Sequence, residues 1–302
     1  MIQYYQEIRD GDSICSIDMV RLSLDFSSEK RILAFGNWLS NPGNMFVETY
    51  PLSTRAFAFR NLFQIICSNN CSFVVGLGFN GVDKDSYYRG FMEFNPNKVA
   101  GEREFKKVFS MLQEHCFCAE VSRWDLAVDV NISRDRCVLR KDKRKRTTVE
   151  NSFLDRTDYL GQRSKSGYVK LYNKTLESDL DYDDTRLEIT VDGKFVYDDF
   201  VKILPRVDVR GDQQDLDPYL TLSGTDLVLY ELLMRCDLTE RREYLKRCGR
   251  VKAEKLRPYL RGSVYDSDKF VVSKETYRQL KIQLREWTIG IKYSLLDDMK
   301  EF

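Results

Sequence analysis

Apolar and polar residues alternate over several short stretches in the first two-thirds of the chain, and a period of two predicts β-strands. In residues 17–26, for example, Val20, Leu22 and Leu24 are separated by polar or charged residues. Turns that contain Asn or Gly lie between several of these stretches, as expected for strands joined by short connections. The predicted strands span residues 17–26, 57–67, 72–79, 87–94, 120–131, 158–162, 167–173 and 185–191.

Helical spacing predicts two helices among these strands and a mainly helical C-terminal region. Residues 28–40 and 102–115 carry apolar residues three and four positions apart, on one helical stripe. Residues 195–220 are mixed and polar and are expected to form a linker, after which helical patterns dominate. We therefore predict an α+β fold, with an antiparallel sheet covered by helices on one face and a helical C-terminal domain after it. The predicted domains are 1–200 and 215–302.

Three of the predicted strands carry charged residues and tyrosines on the face opposite their apolar one. Side chains alternate between the two faces of a strand, so the sequence alone assigns these residues to a common side. If the three strands are neighbours in one sheet, this side collects carboxylates, tyrosines and cations. The residues are Arg123, Asp125 and Asp129 on the first strand, Tyr168, Lys170, Tyr172 and Lys174 on the second, and Arg186, Glu188 and Thr190 on the third.

This group of side chains suits phosphoryl-transfer chemistry. Asp125 and Glu188 could ligate a hard divalent ion such as Mg²⁺ or Mn²⁺, which prefers oxygen donors and polarises phosphoryl oxygens. Tyr172 could attack a phosphodiester as a phenolate and form a covalent phosphoester, with nearby cations favouring its ionised form. The alternative is structural, since antiparallel strands often present a charged face to solvent with no further role.

Histidine and cysteine usage narrows the chemistry further. The chain has one histidine, His115, which excludes sites built from two or three imidazoles. Its eight cysteines include no CxxC pair, so we expect scattered reduced thiols and a cytoplasmic protein. Hydrophobic residues make up 42% of the chain, enough for a real core, and no run is long enough to span a membrane. The N-terminal residues do not resemble a signal peptide.

The net charge of +1 hides two strongly basic stretches. Residues 134–146 carry a local charge of +6, and residues 241–261 carry +7. Separated basic stretches of this kind favour contact with a nucleic-acid backbone, whereas the alternatives are a solvated loop and a helical cap that only packs. The DNA-binding candidates are Lys143, Arg144, Lys145 and Arg146 in the first stretch and Arg163, Lys165 and Lys170 around the predicted hairpin.

Three segments resemble the replication initiation factor family of rolling-circle plasmids, which includes relaxases of some conjugative elements. They are RWDLAVDV at 123–130, YLGQRSKSGYVKLYNKTLE at 159–177 and TRLEITV at 185–191. The resemblance implies an HUH-like or RRM-like nicking domain that cleaves one DNA strand at an origin through a covalent 5′-phosphotyrosine, assisted by a divalent metal (Mg²⁺ or Mn²⁺). Histidine-held metal, as in the HUH endonucleases, is excluded here by the single histidine.

The resemblance also implies roles for individual residues. Tyr172 lies at the position of the nucleophile, and Tyr168 on the same face is the alternative. Lys170 stands where the family more usually has Arg, so it supplies charge without a bidentate fork for phosphate. The metal ligands would be Asp125 and Glu188, with Asp129 as third candidate and Asp25 as a weaker one, and the basic residues near the tyrosine would be Lys174 and Arg186.

The implied partner is origin DNA, single-stranded or as a hairpin, with a host helicase and a second copy of the chain as further candidates. Three alternatives to a replication initiator stay open. A conjugative relaxase would share all of the chemistry. A non-catalytic origin-binding protein would keep the fold, and a metal-dependent nuclease would use water while Tyr172 is structural. The alternatives differ in whether a covalent protein–DNA species forms and whether it depends on Tyr172.

Overall fold

The fold combines one large antiparallel sheet with helices and a small second sheet. The computed structural model describes residues 7–41, 47–49, 59–79, 88–151, 155–210, 218–222, 224–261, 265–266 and 268–290. The strands are β1 (Ile8–Asp10), β2 (Ser13–Asp25), β3 (Val47–Thr49), β4 (Phe59–Ile66), β5 (Ser72–Phe79), β6 (Arg89–Phe94), β7 (Cys118–Val130), β8 (Cys137–Leu139), β9 (Arg146–Glu150), β10 (Arg156–Leu160), β11 (Val169–Asn173), β12 (Thr185–Asp192), β13 (Val207–Arg210) and β14 (Tyr265–Asp266). The helices are α1 (Glu29–Leu39), α2 (Pro96–Val99), α3 (Arg103–His115), α4 (Lys174–Ser178), α5 (Tyr197–Ile203), α6 (Pro218–Thr221), α7 (Thr225–Met234), α8 (Leu238–Arg247), α9 (Arg250–Arg261) and α10 (Lys274–Arg285).

The large sheet has the strand order β3-β4-β5-β6-β2-β7-β12-β11-β10-β9, with β1 paired to β2. Its neighbouring strands are antiparallel throughout. The α+β class and the antiparallel sheet predicted from the sequence are therefore confirmed. Alternation predicted strands such as β6 and β11 because each has one face in the core and one face outside it, whereas β12 is buried on both faces.

The core lies between one face of this sheet and four helices. Phe35 of α1, Phe105 of α3, Phe200 of α5 and Leu280 of α10 are fully buried against the apolar strand residues. Trp124 on β7 is also fully buried in this core. Each such side chain stabilises the fold by about 1.5–3 kcal/mol, so the core helices hold the sheet from one side and leave its other face to the polar residues.

The predicted linker at 195–220 is wrong over most of the described part, because 197–210 folds onto the domain. Helix α5 follows the large sheet, and β13 pairs with β8 and β14 in the small sheet. The polar character of this stretch misled the prediction. Asp208 is fully buried on β13, where it accepts a hydrogen bond from Arg140 Nε at 2.6 Å. Residues 211–217 lie outside the described residues.

The C-terminal helices pack in two separate places. Helices α7 and α9 form a small cluster of their own with the segment before α7, and this cluster contains Leu233, Leu256 and Leu260. Helix α10 instead belongs to the main core, into which it inserts Tyr277. The described residues therefore do not form one C-terminal helical packing unit across 215–302. None of the described helices is both long and apolar enough to cross a membrane.

Candidate active site

The three strands predicted to be neighbours lie side by side as β7, β12 and β11. Antiparallel pairing sets Glu188 opposite Lys170 and sets Arg186 opposite both Tyr172 and Asp129. The polar residues of the three strands thus face the side of the sheet that the core helices do not cover. The structure brings together the residues that the strand period had assigned to one face.

Glu188 is the centre of this group and binds two of the predicted site residues. The Tyr172 hydroxyl donates to Glu188 Oε1 at 2.6 Å, and the Lys170 ammonium donates to Oε2. Glu188 is only 5% exposed, so both bonds lie away from bulk water. Burial and the negative charge of Glu188 raise the pKa of Tyr172 far above its usual value, although Arg186 acts in the opposite direction. The cations alone therefore do not generate a phenolate here, and Tyr172 needs a proton acceptor.

Two aspartates bring further negative charge to this centre. Asp125 Oδ1 is buried and has no hydrogen-bond partner. Burial and nearby Glu188 raise the pKa of Asp125. They also raise the pKa of Asp18, which accepts hydrogen bonds from Asn95 Nδ2 at 3.1 Å and from Arg186. An unpartnered buried carboxylate oxygen among like charges is a group that would bind a cation.

Asp18 was missed by the sequence analysis, which named Asp25 on the same strand. The register of β2 against β7 shifts between Ile17 and Met19, so Asp18 is the extra residue of a β-bulge. The burial pattern shows the change of phase: the buried apolar positions are odd up to Ile17 and even from Val20 onward. The sequence alone obscures it, because Ile14 and Met19 are also apolar. Such a change of phase marks an inserted residue, which can point toward a site.

Asp25 itself lies at the far end of β2. It pairs with Arg89 at 3.4 Å and is opposite Cys118 in the sheet. It lies seven positions along the strand from Asp18, a distance of about 23 Å at ~3.3 Å per residue. The structure therefore does not bring Asp25 to the group around Glu188.

Asp129, predicted as a third metal ligand, is instead engaged by Arg186. Arg186 Nε and Nη2 donate to the two Asp129 carboxylate oxygens at 2.5 and 2.6 Å, which is a bidentate pair. Both partners are largely buried, with side-chain exposures of 11% and 13%. Asp129 thus fixes the plane of the guanidinium beside Tyr172, and its oxygens are not available to a metal in this arrangement.

Lys174 stands just beyond Tyr172, where β11 ends and α4 begins. Its ammonium donates to Glu177 Oε2 at 2.6 Å within the short helix. The pKa of Glu177 is lowered by Lys174, by Tyr172 and by Arg186, against the effect of its own burial. Lys174 is therefore near the tyrosine, and its charge is partly balanced by Glu177.

The predicted DNA-binding residues divide into exposed and structural cations. Lys143, Lys145, Arg163 and Lys165 are exposed. Arg144, in contrast, donates two hydrogen bonds of 2.8 Å, to the main-chain oxygens of Gly167 and Ile203, and Arg146 is 14% exposed and faces Asp158 and Glu240. Arg144 and Arg146 therefore stabilise the fold. A run of basic residues in the sequence does not show which of them make such internal contacts.

The donor atoms around Glu188 suit a hard divalent ion, although they are not arranged as a finished site. In the described part of the chain, no three His, Cys, Asp or Glu side chains are grouped so that they could hold a metal ion. Carboxylates of Asp18, Asp125 and Glu188 supply the oxygen donors that Mg²⁺ and Mn²⁺ prefer. The unpartnered Asp125 Oδ1 supports this fit. Both oxygens of Glu188 are occupied by Tyr172 and Lys170, so it would have to exchange a partner.

Comparison with known proteins finds a distant structural likeness but no family or curated match. No protein-family model matches the chain, and no curated protein matches it. Among solved structures, it is similar to a rolling circle replication initiator protein from Geobacillus stearothermophilus, with a TM-score of 0.35, 10% sequence identity, and coverage of 74% of this chain and 97% of that chain. A likeness this distant assigns neither a fold family nor an activity to the chain.

Proposed function

We propose that this protein is a rolling-circle replication initiator that nicks and rejoins single-stranded DNA at an origin through Tyr172. The observation that carries the proposal is the Tyr172 hydroxyl, held at 2.6 Å from a buried carboxylate beside the unpartnered oxygen of Asp125. The resemblance of the three strand segments to the initiation factor family supports the same reaction. The fold in this proposal is an HUH-like or RRM-like nicking domain whose polar sheet face binds the DNA.

Glu188 has the position of the proton acceptor for the nucleophile. As the Tyr172 oxygen bonds to phosphorus, its proton moves to Glu188. The bond from phosphorus to the 3′-oxygen breaks, and this oxygen leaves with the bonding electrons and takes up a proton from solvent to become a 3′-hydroxyl. The free 3′ end can then prime synthesis, and the phosphotyrosine retains the phosphodiester energy for rejoining. Because Tyr172 has a raised pKa, transfer of the proton to a base is required for attack near neutral pH.

Cations on the same face would stabilise the charge that develops on the phosphate. Arg186 is fixed by Asp129 and lies next to Tyr172 across the strand pair, and Lys170 lies on the other side of Glu188. Asp125, Asp18 and Glu188 would hold Mg²⁺ or Mn²⁺, which when bound would polarise a non-bridging phosphoryl oxygen. This ligand set replaces the predicted Asp129 with Asp18.

Exposed cations away from the centre would hold the rest of the origin. Lys143, Lys145, Arg163 and Lys165 would contact phosphates near the nicking site. The helical cluster would contact duplex DNA, since most cations of α8 and α9 are exposed. We also propose a host helicase and a second copy of the chain as partners.

The decisive experiment is a search for a covalent protein–DNA species. The protein is incubated with a pool of fluorescent single-stranded oligonucleotides and Mn²⁺, and the products are separated on a denaturing gel. We expect a slowly migrating band for the wild type and for Tyr168→Phe, and none for Tyr172→Phe. Nicks without the band would support the water-using nuclease instead. Binding with neither product would support a non-catalytic origin-binding protein, and a band that persists in Tyr172→Phe would exclude the assigned nucleophile.

A further inference from the structure

The polar face of the sheet carries a pair of stacked tyrosines beside the candidate active site. Tyr159 on β10 is opposite Lys170, so its side chain shares the face of Lys170 and Tyr172. The Tyr159 and Tyr168 rings lie nearly parallel, 18° apart, with their centroids separated by 6.0 Å. Both are half-buried, whereas their strand neighbours Leu160 and Val169 are fully buried in the core. The pair is thus outside the core and partly open to solvent.

A second flat stack lies on the same face, on the other side of the sheet centre. The Phe91 ring lies directly over Gly76, where an added Cβ would be 2.2 Å from the ring. The Arg21 guanidinium covers this ring, with its central carbon 4.1 Å from the ring centroid. Glu93 holds the guanidinium through a 3.1 Å hydrogen bond. The missing side chain of Gly76 leaves room for the Phe91 ring, and the Arg21 side chain over that ring is 32% exposed.

The candidate active site lies between these two stacks. In the strand order, β7 and β12, which carry Asp125 and Glu188, separate β6 and β2 on one side from β11 and β10 on the other. Strands are about 4.8 Å apart, so β2 and β10 are about 19 Å from each other. This is the span of a few nucleotides of a single strand, within the site sizes known for single-strand-binding domains.

Cations connect the two stacks across the sheet. Arg123 on β7 donates to Glu93 beside the first stack at 3.1 Å and to the main-chain oxygen of Ser164 in the β10–β11 turn at 3.2 Å. The same turn carries the exposed Arg163 and Lys165. A backbone that crosses from one stack to the other would therefore pass several positive charges.

We propose that this sheet face is a binding track for single-stranded DNA, with unpaired bases stacked on the Tyr159–Tyr168 pair and on the guanidinium of the Arg21–Phe91 stack. Aromatic rings and guanidinium planes stack any base, so this track positions a strand without reading its sequence. The inference rests on the proposed function for its choice of DNA as the ligand. It adds which side chains hold the strand on either side of the acidic centre.

The test measures binding of a fluorescent oligothymidine by anisotropy, in EDTA and in the Tyr172→Phe background, so that cleavage plays no part. We expect Tyr159→Ala and Tyr168→Ala each to raise the Kd about tenfold, the effect of losing one stacked base. The matched control is Tyr182→Ala, an exposed tyrosine outside this face, which should leave the Kd unchanged. Circular dichroism and a thermal melt of each variant establish that it is folded.

Arg21 separates stacking from simple charge attraction. Arg21→Lys keeps the charge and loses the plane, so we expect it to weaken binding nearly as much as Arg21→Met. A lysine that fully restores binding would overturn the stacking role of Arg21. Unchanged affinity in both tyrosine variants, or an equal loss in Tyr182→Ala, would overturn the track. If the covalent band is missing while the tyrosine variants still lose affinity, the nicking proposal fails and the binding track stands.

Discussion

Two aspartates of the large sheet, Asp158 and Asp125, lie in opposite electrostatic environments, and the difference predicts different roles for them. Asp158 on β10 is fully buried and accepts hydrogen bonds from Arg134 at 2.7 Å, Thr148 at 2.6 Å and Arg156 at 3.1 Å. Burial raises its pKa, but the charges of these arginines outweigh burial and lower the pKa of Asp158 to about 2. Both carboxylate oxygens of Asp158 therefore accept hydrogen bonds, and its charge is balanced by arginines.

Asp125 on β7 is the opposite case. One of its oxygens is buried without a partner, and burial together with nearby Glu188 raises its pKa. Three arginines, Arg134, Arg146 and Arg156, surround the carboxylate of Asp158. Asp125 instead has the like charge of Glu188 nearby, while Arg123 and Lys170 act in the opposite direction on its pKa. We therefore expect Asp158 to be structural and Asp125 to be the better candidate for binding a cation.

The largest expected effect is on stability, in Asp158→Asn. The substitution preserves shape but leaves Arg134 buried beside a neutral partner, and breaking such a pair costs about 3–5 kcal/mol. We expect the free energy of unfolding in urea to fall by that amount. The control is Asp155→Asn, which changes an acid near the same strand. An equally stable Asp158→Asn protein would contradict the structural role of Asp158.

The sequence alone could predict that Asp125 lies on the polar face of the sheet, but it could not predict the structural role of Asp158. Strand alternation placed Asp125, Glu188 and Tyr172 on one face, because period two is a local property of the chain. It could not identify Asp158 as structural, since its partner Arg134 lies 24 positions away and reaches it only in the folded sheet. For the same reason it could not show that Arg186 occupies both oxygens of Asp129.

The next effect concerns Lys170, the cation bonded to Glu188. If the acidic group binds a divalent ion, the ammonium competes with it for Glu188. Lys170→Met keeps an unbranched side chain and removes its charge. We therefore expect Mn²⁺ to bind about tenfold more tightly, which corresponds to ~1.4 kcal/mol of binding free energy. Isothermal titration without DNA measures this, with Lys165→Met as the exposed control. Weaker Mn²⁺ binding in Lys170→Met would show that the two cations do not compete.

A smaller effect of opposite sign is expected for Asp125→Asn. Replacing an unpartnered buried charge with a neutral isostere should raise the free energy of unfolding by about 1 kcal/mol in EDTA, as is common when a functional strain is removed. The same variant should lose the stabilisation that Mn²⁺ gives the wild type and should form less covalent adduct. If Asp125→Asn instead lowered the free energy of unfolding as much as Asp158→Asn does, both charges would stabilise the fold and the predicted difference between the two aspartates would be wrong.

The smallest expected effect is the pH dependence of the stability changes in Asp125→Asn and Asp158→Asn, which should run in opposite directions. The pKa of Asp125 is raised in the folded protein, so folding favours its protonated form, and its ionisation destabilises the fold as the pH rises above the unfolded value of about 3.9. The gain from Asp125→Asn should therefore be absent below about pH 4 and should grow as the pH rises above the unfolded pKa. The pKa of Asp158 is lowered to about 2, so its contribution is full well above pH 4 and is lost progressively as the pH falls from about 4 toward 2. Urea unfolding of both variants from pH 3 to pH 7 measures the two profiles. If Asp125→Asn raised the free energy of unfolding by the same amount at every pH, the charge of Asp125 would not be the cause of the gain.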